Sequence, residues 1–173
     1  MRGGISKDDY DIVPLVAKPL YLGLLINVVL PMGLLLVCYY LNNKYYLENR
    51  VGDLANTLFY AMVVLALAQG GVALWWRKVL FDRPMVRREE TMLEDIQQAL
   101  VRRSRPVFVL IAAISLYGYV YFYLTGRFRE AALVVLFSFI VFQFVRPRIN
   151  SVRKLIERQR ELVKQGKLLA RGE

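Results

Sequence analysis

The sequence predicts an all-α integral membrane protein with four transmembrane helices, plus cytoplasmic amphipathic helices in the central loop and the C-terminal tail. Three observations predict it. Apolar residues make up 57% of the 173-residue chain, and they fall in unbroken blocks instead of the alternating or amphipathic pattern of a soluble core. Four of these blocks, residues 19–41, 58–76, 107–124 and 131–145, contain no Asp, Glu, Lys, Arg or His. A helix of about 20 such residues crosses the hydrocarbon with its peptide groups paired internally, which lipid cannot do for them. The charges, net +10, are expelled to the joints between blocks.

The elements follow in order. Residues 1–18 are polar, hold Pro14, and read as a cytoplasmic arm whose Ile12, Val13, Leu15 and Val16 dip into the interface. The transmembrane domain occupies residues 19–146. Its first span contains Pro31, which removes a helical hydrogen bond and bends the axis. Gly23 and Asn27, four residues apart, share one face of that span and mark a helix contact. Asn56 and Thr57 are expected to cap the second span, whose Gln69-Gly70-Gly71 permits close helix approach. Ser115 and Gly118 lie in the third span, Ser138 and Gln143 in the fourth. The fourth is the shortest, so a re-entrant third and fourth pair is the competing topology.

Residues 77–106 form a basic cytoplasmic loop with a helix of its own. Pro84 is expected to start it, with Glu89 and Glu90 in its first turns, and Pro106 to begin the third span. Met92 or Leu93, Ile96 and Leu100 recur at helical spacing along it. Residues 147–173 form a basic tail. There Asn150 is a candidate cap, and Val152, Leu155, Ile156, Leu162, Val163 and Leu169 make one stripe. Gln159 and Gly166 break the companion heptad positions, so an amphipathic helix on the inner leaflet or on a partner is expected in place of a coiled coil. The chain thus reads twice as a hairpin followed by a basic helix.

Orientation comes from the distribution of Lys and Arg. The arm, the central loop and the tail share one side of a four-span topology and hold twenty of these residues, against four on the two opposite loops. The positive-inside rule then puts both termini in the cytoplasm. Aromatic residues agree: Tyr39, Tyr40, Tyr45 and Tyr46 close the first span, and Trp75 and Trp76 end the second just before Arg77. Amphipathic rings settle at headgroup level. No cleavable targeting peptide is expected, and the lone Cys38 permits no internal disulfide. Compact loops suit the inner membrane of a prokaryotic cell.

Missing chemistry narrows the function. Without histidine there is no imidazole metal site, His-ligated haem or His-based acid–base catalysis. No phosphate-cradling glycine loop or cysteine pair appears. No cofactor, metal or catalytic residue is expected. Glu89, Glu90, Glu94 and Asp95 offset neighbouring arginines. The basic residues flank the spans directly, so anionic lipid headgroups on the cytoplasmic side are the expected partners, not nucleic acid. Arg77, Lys78, Arg102, Arg103, Arg105, Arg146, Arg148, Arg153 and Lys154 are the candidates for headgroup or partner contact.

The expected role is that of a non-catalytic integral subunit or assembly scaffold of a larger membrane protein complex. Gly23, Asn27, Gln69, Gly70, Gly71 and Gly118 would pack its helices. The rival is a small homo-oligomeric channel or carrier for an uncharged or lipid-like solute, with Asn27, Gln69, Ser138 and Gln143 lining the route; lipid handling is a third possibility. With Cys38 replaced, a cysteine at Asn43 or Asn49 should react with an impermeant maleimide in intact cells, and one at Gln98 or Gln165 should not. Labelling of the latter two would overturn the orientation.

Overall fold

A computed structural model describes residues 7–45, 49–86 and 91–166, with side chains from residue 12 onward. These residues are 90% helical and contain no strand. Four helices are long and apolar enough to cross a membrane. Of the residues the sequence points to, Tyr46, Arg87, Arg88, Glu89, Glu90 and Leu169 lie outside the described set.

The first span is longer and less regular than its apolar block. Helix α1, Lys7–Leu24, runs through a π turn at Leu25–Val29 into α2, Leu30–Lys44. The cause is Pro31, whose ring nitrogen has no proton for the carbonyl four residues back. The Leu30 N–H bonds Leu25 O instead, five residues away, and widens the helix by one residue locally. The arm expected over residues 1–18 is therefore helical from Lys7 and continuous with the span.

Helix α3, Ala55–Asp82, follows a 3-10 turn at Gly52–Leu54. Its start has no side-chain cap, and Asn56 does other work: its Oδ1 accepts from Arg127 Nη1 at 2.6 Å, tying the two short connections at this end together. Arg50 N–H donates to Leu124 O at 3.0 Å, and its guanidinium lies 4.7 Å over the Tyr123 ring.

Helix α4, Met92–Thr125, corrects the expected division at Pro106. Neither Pro84 nor Pro106 begins a helix. Pro84 sits in an extended segment, and Pro106 lies inside a 34-residue rod. At about 1.5 Å per residue the rod is about 50 Å long, well beyond a hydrocarbon core of roughly 30 Å. One buried stripe, Ile96, Leu100, Ser104, Val107, Ile111, Ile114, Gly118, Tyr121 and Thr125, runs its whole length at helical spacing. Twelve of its 34 residues are buried against five of 28 in α3, so α4 is the hub of the bundle. It ends at Gly126, whose φ of 68° stops the helix while its N–H bonds Phe122 O. Helix α5, Phe128–Val145, then folds straight back along α4 over 18 residues. Phe108 packs edge-on to Phe142 near one end and Gly118 meets Ala131 near the other, the geometry of two full-length antiparallel helices.

Helix α6, Ile149–Lys164, begins without Asn150 as cap. Val152, Leu155 and Ile156 of its stripe are buried, and Leu162 and Val163 half-buried. Val152, Leu155 and Ile156, with Val163 against them, join Ile12, Leu15 and Val16 of α1, Met85 and Val86, and Ile96 and Leu100 of α4 in a small second core. Ile12, Leu15 and Val16 are thereby withdrawn from the interface they were expected to enter, while Val13 stays exposed. The arm, the central loop and the tail, the three segments richest in positive charge, meet at one end of the bundle. That basic end is a packed cap.

Val152 is fully buried there. Val152→Ala should cost about 2 kcal/mol through the cavity it leaves. Val152→Asp would bury a carboxylate and should release α6, read as tryptic cleavage after Arg153, Arg158 and Arg160 at a protease level that leaves the unaltered protein intact.

Candidate functional site

Within the apolar zone, function depends on which small and polar residues face another helix. Gly118 is the tightest: a Cβ there would lie 2.7 Å from the Ala131 carbonyl oxygen and 2.8 Å from Val135 Cγ2. Backbone meets backbone, so nothing larger fits without parting α4 from α5. At Gly23 a Cβ would come within 2.8 Å of the Phe142 ring and 3.0 Å of Phe108. At Gly70 it would be 3.1 Å from Val141 Cγ2. At these three glycines an added Cβ would press on another helix. Gly71 differs. Its Cβ position has nothing within 4 Å, because one residue of helix turns it about 100° away from α5.

Gln69 is a clamp between α3 and α4. Its Nε2 donates to Leu110 O at 2.6 Å, and Tyr117 Oη donates to its Oε1 in a short hydrogen bond. Ser115 and Ser138 are buried and turn inward on their own helices, donating to Ala112 O and Val135 O. Asn27 is fully buried in the π turn. Its Nδ2 donates to Gly23 O at 3.2 Å, while its Oδ1 has no described partner. Gln143 is exposed near the basic end. An apolar groove of about 210 Å³ between α3 and α5 is lined by Val63, Ala66, Leu67, Leu133, Val134 and Phe137. None of the four residues expected to line a route is among them.

At the basic end the nine cationic candidates divide by what their side chains already hold. A helix interrupted by proline loses the donor for the carbonyl four residues back. Pro84 deprives Leu80 O, and Arg103 Nη1 donates to that oxygen at 3.0 Å while Nη2 reaches Pro84 O at 2.9 Å. Pro147 deprives Gln143 O, and Arg148 Nη2 donates to it at 3.1 Å. Arg77 Nη1 donates to the neighbouring Phe144 O at 2.8 Å and lies 5.4 Å over the Phe81 ring. Arg77, Arg103 and Arg148 are thus helix-terminus caps, where the dipole also favours cations. Arg146 turns inward, with a buried Nε that has no described partner, and Arg153 has an electrostatic or hydrogen-bond partner. Lys78, Arg102, Arg105 and Lys154 are exposed.

Two residues that fix this end escaped the sequence reading. Gln159, which interrupts the tail's heptad, is almost fully buried. Its Oε1 accepts from Met85 N–H at 2.9 Å and its Nε2 donates to Arg83 O at 3.2 Å, pinning the extended segment after α3. Asp82 pairs with Arg158 at 2.7 Å. The proline four residues after a carbonyl is a readable signal for the arginine caps; Gln159 carries no local signal, because its partners lie 74 and 76 residues away. Among the described residues no three His, Cys, Asp or Glu side chains gather as a metal site.

The single thiol, Cys38, is buried and so reports unfolding through its reaction with a thiol-specific dye. Gly118→Ala should lower the temperature at which Cys38 reacts, corresponding to about 1–3 kcal/mol of overpacking. Gly71→Ala should leave it unchanged or slightly raised.

Compared with known proteins, the chain matches no family model, no curated protein and no solved structure.

Proposed function

We propose that this protein is a non-catalytic, multi-pass subunit or assembly scaffold of a larger membrane complex, with both termini on the cytoplasmic side of a prokaryotic cell membrane. The observation that carries the reading is Gln69. It lies in an apolar span, and both ends of its amide hold α3 against α4. A solute route needs polar groups turned toward a lumen; here Gln69, Ser115 and Ser138 face helix backbone or a tyrosine. The remaining apolar surface is unevenly shared. Helix α4 is more buried than α3, and α2 and α3 display Leu36, Val37, Val64, Leu65, Leu67 and Val72 outward, a face for neighbouring subunits or lipid. The cap at the basic end fixes the depth of the bundle through its arginines and lysines.

The alternative, a small homo-oligomeric channel or carrier for an uncharged or lipid-like solute, is favoured by one feature. The Asn27 Oδ1 is buried and unpaired beside a π turn, an arrangement frequent at functional sites.

Two variants separate the readings when co-purification from native membranes and solute flux into vesicles are both measured. Gln69→Leu should leave flux and complex nearly intact, since an amide between membrane helices contributes about 1 kcal/mol. Gly71→Leu, at a position where an added Cβ meets nothing within 4 Å, should weaken association if a neighbouring subunit rests on that face. Loss of flux in Gln69→Leu with the complex whole would replace the scaffold by the channel.

A further inference from the structure

Helix α3 borders α5 along an apolar groove and α6 along a basic cleft, so this side of α3 has two unlike ends. At the basic end is a cleft of about 340 Å³ lined by Arg77, Lys78, Phe81, Asp82, Lys154 and Arg158 among others. Its only carboxylate, Asp82, already holds Arg158 at 2.7 Å. Arg77 is turned to the end of α5, with Arg148 near enough to repel it. Lys78 and Lys154 face the cleft with no ion pair or hydrogen bond among the described residues. The cleft therefore has two ammonium groups beside a crowd of guanidinium charge, and among the described residues nothing neutralises them.

The other end is the apolar groove of about 210 Å³ that includes Leu67. Leu67, Gly71, Leu74 and Lys78 are spaced four, three and four residues apart, which puts them on one stripe of α3. Gly71, bare and exposed, leaves that stripe open between the groove and the cleft, and Leu74 lines the cleft itself. From Leu67 to Lys78 the helix rises about 17 Å, close to the ~15 Å depth of one leaflet. A cationic recess at one end and an apolar trough one leaflet deep at the other match a single class of molecule.

We propose that the outward edge of α3, from its groove with α5 to its cleft with α6, is a specific site for an anionic phospholipid. Its phosphate is held by Lys78 and Lys154 with Arg77 behind them, and one acyl chain lies along Leu74 and Gly71 toward Leu67. The inference rests on the membrane reading and adds a defined site to it. Ammonium groups at interfacial depth bind a headgroup phosphate as point charges, and the buried chain supplies the apolar contact that a free anion lacks.

Purified protein in a neutral detergent, titrated with dioleoylphosphatidylglycerol and read by native mass spectrometry, tests the site. Lys78→Gln combined with Lys154→Gln should weaken the first lipid bound by tenfold or more. Removing two cations elsewhere on α6, Arg160→Gln with Lys164→Gln, should change it less than twofold. Dioleoylphosphatidylcholine and inorganic phosphate should each bind at least tenfold more weakly than the anionic lipid, and Gly71→Phe should weaken the long-chain lipid while sparing its dihexanoyl analogue. An unchanged temperature of Cys38 exposure shows that each variant is folded. Equal losses in the two double variants would reduce the effect to net charge, and phosphate binding as tight as lipid would leave a bare anion site; either overturns the proposal. Release of the protein by alkaline carbonate would instead sink the membrane reading beneath it.

Discussion

A backbone carbonyl that loses its helical donor near hydrocarbon must find another, and the architecture of the basic end follows from how this chain supplies one. Pro84 and Pro147 each end an apolar helix close to its charged boundary and each orphan a carbonyl four residues back. Arg103 and Arg148 answer them, and Arg77 takes the next carbonyl of α5. Because Arg103 belongs to α4 and its acceptors belong to the end of α3 and the segment that follows, satisfying one orphan also sets where α4 starts relative to α3. An unpaired buried carbonyl costs about 1–3 kcal/mol, so these links are structural before they are anything else.

With those ends fixed, α4 transmits the arrangement. It belongs to both cores: Ile96 and Leu100 pack with α1 and α6 in the cap, while Val107, Phe108, Ile111 and Ile114 pack with α3 and α5 in the bundle. Pro106 sits between the two without a break, since a proline removes only one bond and one contact from a helix held on both sides of it. The bundle and its cap are thus joined through one continuous helix.

Close approach and polarity in the apolar zone are arranged by helix phase. Gly118 and Gly70 point at α5 and Gly71 does not, though 70 and 71 are neighbours. Gln69 points at α4 and is paired at both ends. Asn27 is the exception: a buried, half-satisfied amide at the place where Pro31 forces the helix to widen. The π turn and an amide oxygen with no partner among the described residues coincide in the first span.

The sequence by itself determined the helical class, the four spans and the segregation of charge, because each rests on the solvation of a residue in its own local run. Blocks without charge are legible wherever they fold. It also pointed to Gly23, Gly70 and Gly118, but its expectation that Pro84 and Pro106 begin helices did not hold. Only the tertiary structure decided that the arm, the loop and the tail close into one core, that α4 passes through Pro106 undivided, that Gly71 looks outward and that Gln159 is a buried pin. It decided too which cations are caps and which, like Lys78 and Lys154, line the cleft with α6. Those outcomes depend on partners many tens of residues away and on a turn of about 100° per residue, and neither is written in a local run of sequence.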